Sequence, residues 1–284
     1  MRANIVDVKY ETENKVITIL PLEVHYSKRT TSNGFSHRKF REVIHRLLTE
    51  KNTYAIFPGD LVDSDRPTMR TMKRHIYADE DRASAQAEDD DNHRRALDNG
   101  VIAELRPVAH KIWGLLDGDH YVLYQNGTTS TQYVAQALKI PHAYIGRRMG
   151  WVIMRIIRDR RDRATITINV RHGKGGASTI GSDINKLINQ SNGWIADLYI
   201  GGHTHRKWVH SIPFIGVNKL GDQFSKPIGW ARAGSLLDGF PSGKDTYAGD
   251  CEYSPLPMGY PEIYMYLDRE HDKGVHLANI RGLS

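Results

Sequence analysis

Cysteine is almost missing: Cys251 stands alone in 284 residues. No intrachain disulfide can form, which excludes the disulfide-stapled secreted scaffolds and makes a reducing, cytoplasmic setting the simplest expectation. Long apolar runs are missing as well. No stretch reaches the roughly 20 consecutive apolar residues that a helical span needs, and the mean hydropathy is −0.52, so no membrane partner is expected. Near the N-terminus Lys9, Glu11, Glu13 and Lys15 interrupt any signal-peptide core. No repeat, linker or break in composition divides the chain, so one domain over 1–284 is expected.

Cations outnumber anions. Lys and Arg total 39 against 33 Asp and Glu, a formal net charge of +6. A basic surface favours anionic partners such as phosphates or nucleic acid without establishing one. Histidine is frequent, at 14 residues, and several of these follow apolar runs.

One such run organises the chain. Leu198-Tyr199-Ile200 reads as a short buried strand; Gly201 and Gly202 end it, and His203 and His205 follow with Thr204 between them. Two readings are open. The stretch is a polar turn with two solvated histidines, or the imidazoles converge on one point, as metal ligands do.

The remaining chain alternates strands and helices. Val16 to Leu20 is β-branched and apolar and leads into Pro21-Leu22-Glu23-Val24-His25. On extended chain, residues at i and i+2 face the same side, so Glu23 and His25 can share an ion; alone, the pair also reads as an ordinary exposed Glu and His. Ser36 to Lys51 reads as a helix with Ser36 as N-cap and an apolar stripe of Phe40, Val43, Ile44, Leu47 and Leu48. Tyr54 to Phe57 is a strand delivering Pro58-Gly59-Asp60-Leu61-Val62-Asp63.

Residues 64–107 are largely polar. The acidic run from Asp79 to Asp91 reads as a solvated helical excursion, and Val101, Ile102 and Leu105 as the last turns of a helix on the core. Ile112 to Leu116 is a strand that delivers Asp117-Gly118-Asp119-His120, and Tyr133 to Leu138 reads as helix. Trp151 to Ile157 and Ala164 to Val170 form a hairpin whose turn carries Arg158, Arg160, Arg161 and Arg163. That turn reads as an exposed tip of mixed charge or as a track for a phosphate backbone. Its second strand delivers His172. Ser182 to Asn192 reads as helix, Trp208 to Ile215 and Ile228 to Ala233 as strands, and Ile263 to Leu267 and Val275 to Ile280 as a terminal pair. Periodicity thus supports a layered α/β (α+β) protein with sites beyond strand ends.

Five strand ends carry ligand-type residues: Glu23 and His25; Asp60; Asp119 and His120; His172; His203 and His205. Mixed carboxylates and imidazoles suit Mn, Fe, Zn or Ni better than Mg or Ca alone. Seven or eight ligands exceed one ion and suit a pair sharing a carboxylate, as in two-metal phosphoryl chemistry.

The series resembles the calcineurin-like metallophosphoesterase superfamily, whose pattern is D-x-H, G-D-x-x-D, G-N-H-[E/D], a lone H, then G-H-x-H. The matching pieces are Glu23-Val24-His25, Gly59-Asp60-Leu61-Val62-Asp63, Gly118-Asp119-His120, His172 and Gly202-His203-Thr204-His205. His172-Gly173-Lys174-Gly175-Gly176 and the loop from Gly239 to Pro261 look most like phage and prophage members. The resemblance implies a four-layer metallophosphoesterase fold: two mixed β-sheets in a sandwich flanked by helices, with the site on loops at one edge. It implies two divalent metal ions. Glu23, His25, Asp60 and His205 would hold one, with Asp60 bridging; Asp119, His172 and His203 would complete the other. His120 would act on the scissile phosphate, Asp63 would orient His120, and a metal-bridging hydroxide would be the nucleophile.

Two positions depart from that pattern. Glu23 stands for the usual Asp and is one methylene longer. Asp119 stands for the usual Asn, an anion where the family has a neutral amide, which tightens metal binding and opposes an anionic substrate. The expected activity is a dinuclear metal-dependent phosphodiesterase, with DNA or a nucleotide as substrate. A phosphomonoesterase and a catalytically impaired metal- or nucleic-acid-binding homologue are the alternatives.

Overall fold

The computed structural model describes residues 3–9, 16–27, 34–63, 80–124, 126–158, 162–176, 179–240, 255–270 and 274–283; side chains at 80–91, 158, 162–163, 269–270, 274–279, 281 and 283 are outside that description. The chain opens with strands β1 (Ala3–Lys9) and β2 (Val16–Pro21), helix α1 (His37–Thr49) and strand β3 (Thr53–Phe57). Helix α2 (Glu80–Leu105), a 3-10 turn (Arg106–Lys111), strand β4 (Ile112–Leu116) and helix α3 (Ser130–Ala137) come next. After β5 (Tyr144–Gly146) follow β6 (Met149–Arg158), β7 (Asp162–Arg171), α4 (Ile180–Ser191) and β8 (Leu198–Gly201). The last strands are β9 (Lys207–Val217), β10 (Gln223–Ala233), β11 (Glu262–Glu270) and β12 (Gly274–Leu283).

Two six-stranded mixed sheets result, ordered β1-β6-β7-β8-β10-β9 and β12-β11-β2-β3-β4-β5. They stack face to face. Ile17, Ile19 and Ile56 of one sheet and Val152, Met154, Ile168 and Ile200 of the other share a single buried cluster, the β-branched packing that pleated faces favour. The outer face of the second sheet is covered by α1, α2 and α3 through Phe40, Val43, Leu47, Val101, Leu105 and Val134. On the outer face of the first lies α4, where Leu187 packs with Tyr199, Trp208 and Trp230. Helix, sheet, sheet, helix: the four layers are those the sequence leads one to expect.

Strand direction positions the site. β2, β3 and β4 are parallel neighbours, and β7 and β8 are parallel neighbours in the other sheet. Their five carboxyl ends open on one edge of the sandwich, where Gly202 N–H donates to Arg171 O at 2.9 Å and His25 N–H to Asp60 O at 2.9 Å.

Several local expectations shift. Ser36 caps α1 by accepting from Lys39 N–H at 3.3 Å, but the helix stops at Thr49 and Leu48 is 55% exposed. Eight residues on from Phe40, Leu48 lies roughly 80° round the axis, off the stripe. α3 starts earlier than Tyr133, because Thr129 and Gln132 form a capping box; α4 starts earlier than Ser182 for the same reason, with Thr179 as cap. β1 and β5 were not anticipated. β1 buries only alternate positions, with Asn4 and Asp7 interrupting its apolar pattern, and β5 is three residues long. The acidic run is helical from Glu80, with its side chains through Asp91 outside the described residues. So are residues 159–161 of the Arg-rich turn and 241–254 of the Gly/Pro-rich loop. Among the described residues no helix is long and apolar enough to cross a membrane.

Candidate metal centre

Glu23 and His25 do not sit on plain extended chain. Beyond β2 the backbone bends: Glu23 bridges to Ser235, and His25 takes a left-handed conformation at φ 52°. Both side chains still reach one cluster, because the turn at His25 replaces strand alternation. Asp60, His203 and His205 are left-handed too, at φ 50°, 77° and 55°. Such backbone is uncommon outside glycine and concentrates at functional sites. Gly118 is required where β4 ends: a Cβ there would lie 2.3 Å from Asp60 Oδ1, and its φ of +79° suits glycine.

Ligand-type atoms converge in overlapping sets, each with all members within 4.8 Å of one another: Glu23, His25 and His205; His25, Asp60 and His120; Glu23, Asp60 and His172; Asp119, His172 and His203. Asp60 lies between the halves. Its Oδ1 accepts N–H groups of Asp119 at 2.6 Å and His120 at 3.0 Å. That fixes the carboxylate so that Oδ2 faces His172 Nε2 at 3.2 Å on one side and His25 Nε2 at 4.0 Å on the other. In the second half, His203 Nδ1 is 3.1 Å from Asp119 Oδ2 and 3.3 Å from His172 Nε2.

The donor set fits divalent cations. His172 Nδ1 lies 3.1 Å from Pro58 O; a proton there leaves the Nε2 lone pair turned into the cluster, the usual arrangement of a metal-ligating imidazole. Glu23 commits Oε1 to His203 N–H at 2.7 Å, while its buried Oε2 has no hydrogen-bond partner. A buried carboxylate oxygen without a donor is costly unless a cation meets it. Electrostatics agree. Burial raises the pKa of Glu23, Asp60 and Asp119, yet His172 and its neighbouring imidazoles hold all three below the ordinary carboxylate range. Burial lowers that of His172, and Asp60, Asp119 and Glu23 override it upward. His205 is pushed down to about 4 by burial and by His25. The cluster is a pocket of buried carboxylates held in the ionised form by the imidazoles around them.

His120 and Asp63 lie beside this cluster. His120 Nδ1 is 2.8 Å from Asp63 Oδ1, and Asp63 Oδ2 is 3.6 Å from His25 Nδ1. Sequence reasoning missed three residues that touch the site. Arg148 pairs with Asp119; Arg232 donates to Gly202 O at 2.7 Å and pairs with Asp183. The only signal for Arg232 was a charge inside an otherwise apolar strand, Ile228 to Ala233. Arg148 and Asp183 sat in polar surroundings that gave none.

No protein-family model matches the sequence, and no curated protein does. Among solved structures, Vps29 of Entamoeba histolytica complexed with Zn2+ is similar at 13% identity and TM-score 0.34, over 94% of this chain and 98% of that one. A double mutant of the same protein gives 12% identity and TM-score 0.33, over 95% and 99%.

Proposed function

We propose that this chain is a dinuclear metal-dependent phosphoesterase of the calcineurin-like type, hydrolysing phosphodiester bonds in nucleic acid or nucleotides. The observation that carries the reading is the placement of Asp60 Oδ2 between two imidazole sets. Glu23, His25 and His205 are assigned to one ion and Asp119, His172 and His203 to the other, with Asp60 shared. Bound there, two divalent ions would polarise a phosphoryl oxygen and make a water acidic enough to attack.

The chain's own residues do the rest. Asp60 keeps both half-sites at fixed separation through its two backbone N–H contacts. Asp63 holds His120 by Nδ1, which leaves Nε2 to pass a proton to the leaving oxygen or stabilise charge on the phosphoryl group. The formal charge of +6 favours polyanionic partners, nucleic acid or nucleotides among them.

Elemental analysis of the purified protein tests the site first, with about two equivalents of Mn, Fe, Zn or Ni expected. Chelation and add-back of each metal then follows, assayed on bis-p-nitrophenyl phosphate, p-nitrophenyl phosphate and DNA. Metal-dependent diester turnover is expected. Turnover of the monoester alone would make the protein a phosphomonoesterase; two bound ions with no turnover would make it a binding homologue.

A further inference from the structure

Asp119 divides its carboxylate. Oδ2 faces His203 Nδ1 at 3.1 Å and His172 Nε2 at 3.4 Å, whereas Oδ1 is taken by Arg148 Nη2. An amide in that place would need no counter-charge. A carboxylate does, since like charges close together in a partly buried site repel and an anionic phosphoester would meet that repulsion. Asp119 is 7% exposed and Arg148 53% exposed. The guanidinium therefore stands on the solvent side of the cluster with one edge anchored.

Its backbone is anchored as well. Arg148 O accepts from His172 N–H at 3.0 Å, and Arg147 O from Gly118 N–H at 3.1 Å. The turn between β5 and β6 is thus tied to the loops carrying both His172 and Asp119. A guanidinium has five N–H donors in a planar fork suited to phosphate, and one carboxylate oxygen engages only part of that fork.

We propose that Arg148 is a substrate-positioning residue: Asp119 cancels against it and holds it at the mouth, and its remaining donors take a non-bridging oxygen of the phosphoester. The proposal rests on the phosphoesterase reading above. Its test is isothermal titration of the Mn2+-loaded full chain with inorganic phosphate, and of the metal-stripped chain with Mn2+. Arg148→Met is expected to weaken phosphate binding about tenfold, equivalent to about 1.4 kcal/mol, while Mn2+ affinity stays within about threefold, because Arg148 meets the oxygen of Asp119 turned away from the imidazoles. Arg148→Lys keeps the charge, loses the fork, and should recover part of the phosphate affinity. Unchanged phosphate binding in Arg148→Met overturns the proposal, as does a fall in Mn2+ affinity as large as the fall for phosphate, which would make Arg148 a brace for Asp119 only. Wild-type protein that takes up no Mn2+ overturns the underlying reading instead, and the wild-type titration alone tells the two failures apart.

Discussion

Asp183 and Arg232 meet in full burial behind the Gly202–His205 loop, with Nη2 of the guanidinium 3.1 Å from carboxylate Oδ1. The pair is ionic without hydrogen-bond alignment, since neither of these two atoms has a hydrogen-bond partner. Direction comes from the other atoms. Arg232 Nη1 donates to Gly202 O at 2.7 Å, and Asp183 Oδ2 accepts from Trp208 Nε1 at 2.8 Å and Thr204 Oγ1 at 3.3 Å. Helix α4 and strand β10 thereby hold the loop bearing His203 and His205 from behind.

Removing one partner of such a pair strands a buried charge. Asp183→Ala should cost about 3–5 kcal/mol of stability, read as a lowered urea midpoint with unchanged slope. Replacing both, as Asp183→Ala with Arg232→Met, should cost less than Asp183→Ala alone, because no ion is then left uncompensated. Metal affinity should fall in both, since the loop loses its Thr204 tie in each and its Gly202 tie as well in the double variant.

The two halves of the metal site should separate by mutation. His205→Ala is expected to lower metal content from about two equivalents to about one, and His203→Ala to do the same at the other ion. Asp60→Ala should lower both, as the shared ligand. Elemental analysis of each purified variant after equilibration with Mn2+ checks this; equal loss in all three would mean that the sets do not act as separate sites.

Much of this arrangement was legible in the sequence, and for a physical reason. Ligand-type residues past β-rich runs can be read locally, and parallel strands bring their carboxyl ends to one edge whatever the exact order. Glu23, His25, Asp60, Asp63, Asp119, His120, His172, His203 and His205 all come into one neighbourhood. What could not be read is the support. Arg148 reaches Asp119 across 29 positions and Arg232 reaches Asp183 from another layer; no local spacing encodes either. β1 was illegible because an edge strand with alternate positions exposed needs no continuous apolar run.

Asp63 acts through His120, so the two should differ in degree. With two ions bound, His120→Ala is expected to reduce turnover of bis-p-nitrophenyl phosphate about 10²- to 10⁴-fold, the usual contribution of a positioned acid or base. Asp63→Asn keeps a partner for Nδ1 and should cost less. Metal content should remain about two equivalents in both; a loss of metal in His120→Ala would assign that imidazole to coordination instead.

Acid sensitivity away from the site should run through Arg46. Its Nε is 2.8 Å from Glu50 Oε1 and its Nη1 2.6 Å from Glu262 Oε1. The Arg46 hydrogen bond holds the Glu50 carboxyl below its ordinary value; burial raises that of Glu262, and Arg46 and Tyr264 override it downward. The unfolded chain then binds more protons than the folded one as pH falls, so this stabilisation is present above the unfolded pKa of about 4.3 and is lost as pH falls through the folded values. The stability gap between wild type and Glu262→Gln, measured in urea, should therefore be largest near neutrality and shrink below about pH 4. A gap independent of pH would show that packing of Glu262, not its charge, matters.

The longer side chain of Glu23 is accommodated by a glycine on the facing loop. A Cβ at Gly202 would lie 2.3 Å from Glu23 Oε1 and 2.8 Å from its Cδ, closer than nonbonded atoms approach. The carboxylate cannot retreat without giving up the 2.7 Å hydrogen bond from His203 N–H. Gly202→Ala should therefore displace Glu23, loosen His203 and weaken Mn2+ binding about tenfold or more, on the scale of losing a group that orients a ligand. Glu23→Asp withdraws the carboxylate by one methylene and frees that space. The double variant should bind Mn2+ more tightly than Gly202→Ala alone, an interaction of the sign expected for residues in contact. If Glu23→Asp instead weakens Mn2+ binding equally in both backgrounds, the two positions are independent, and the glycine serves the turn rather than the glutamate.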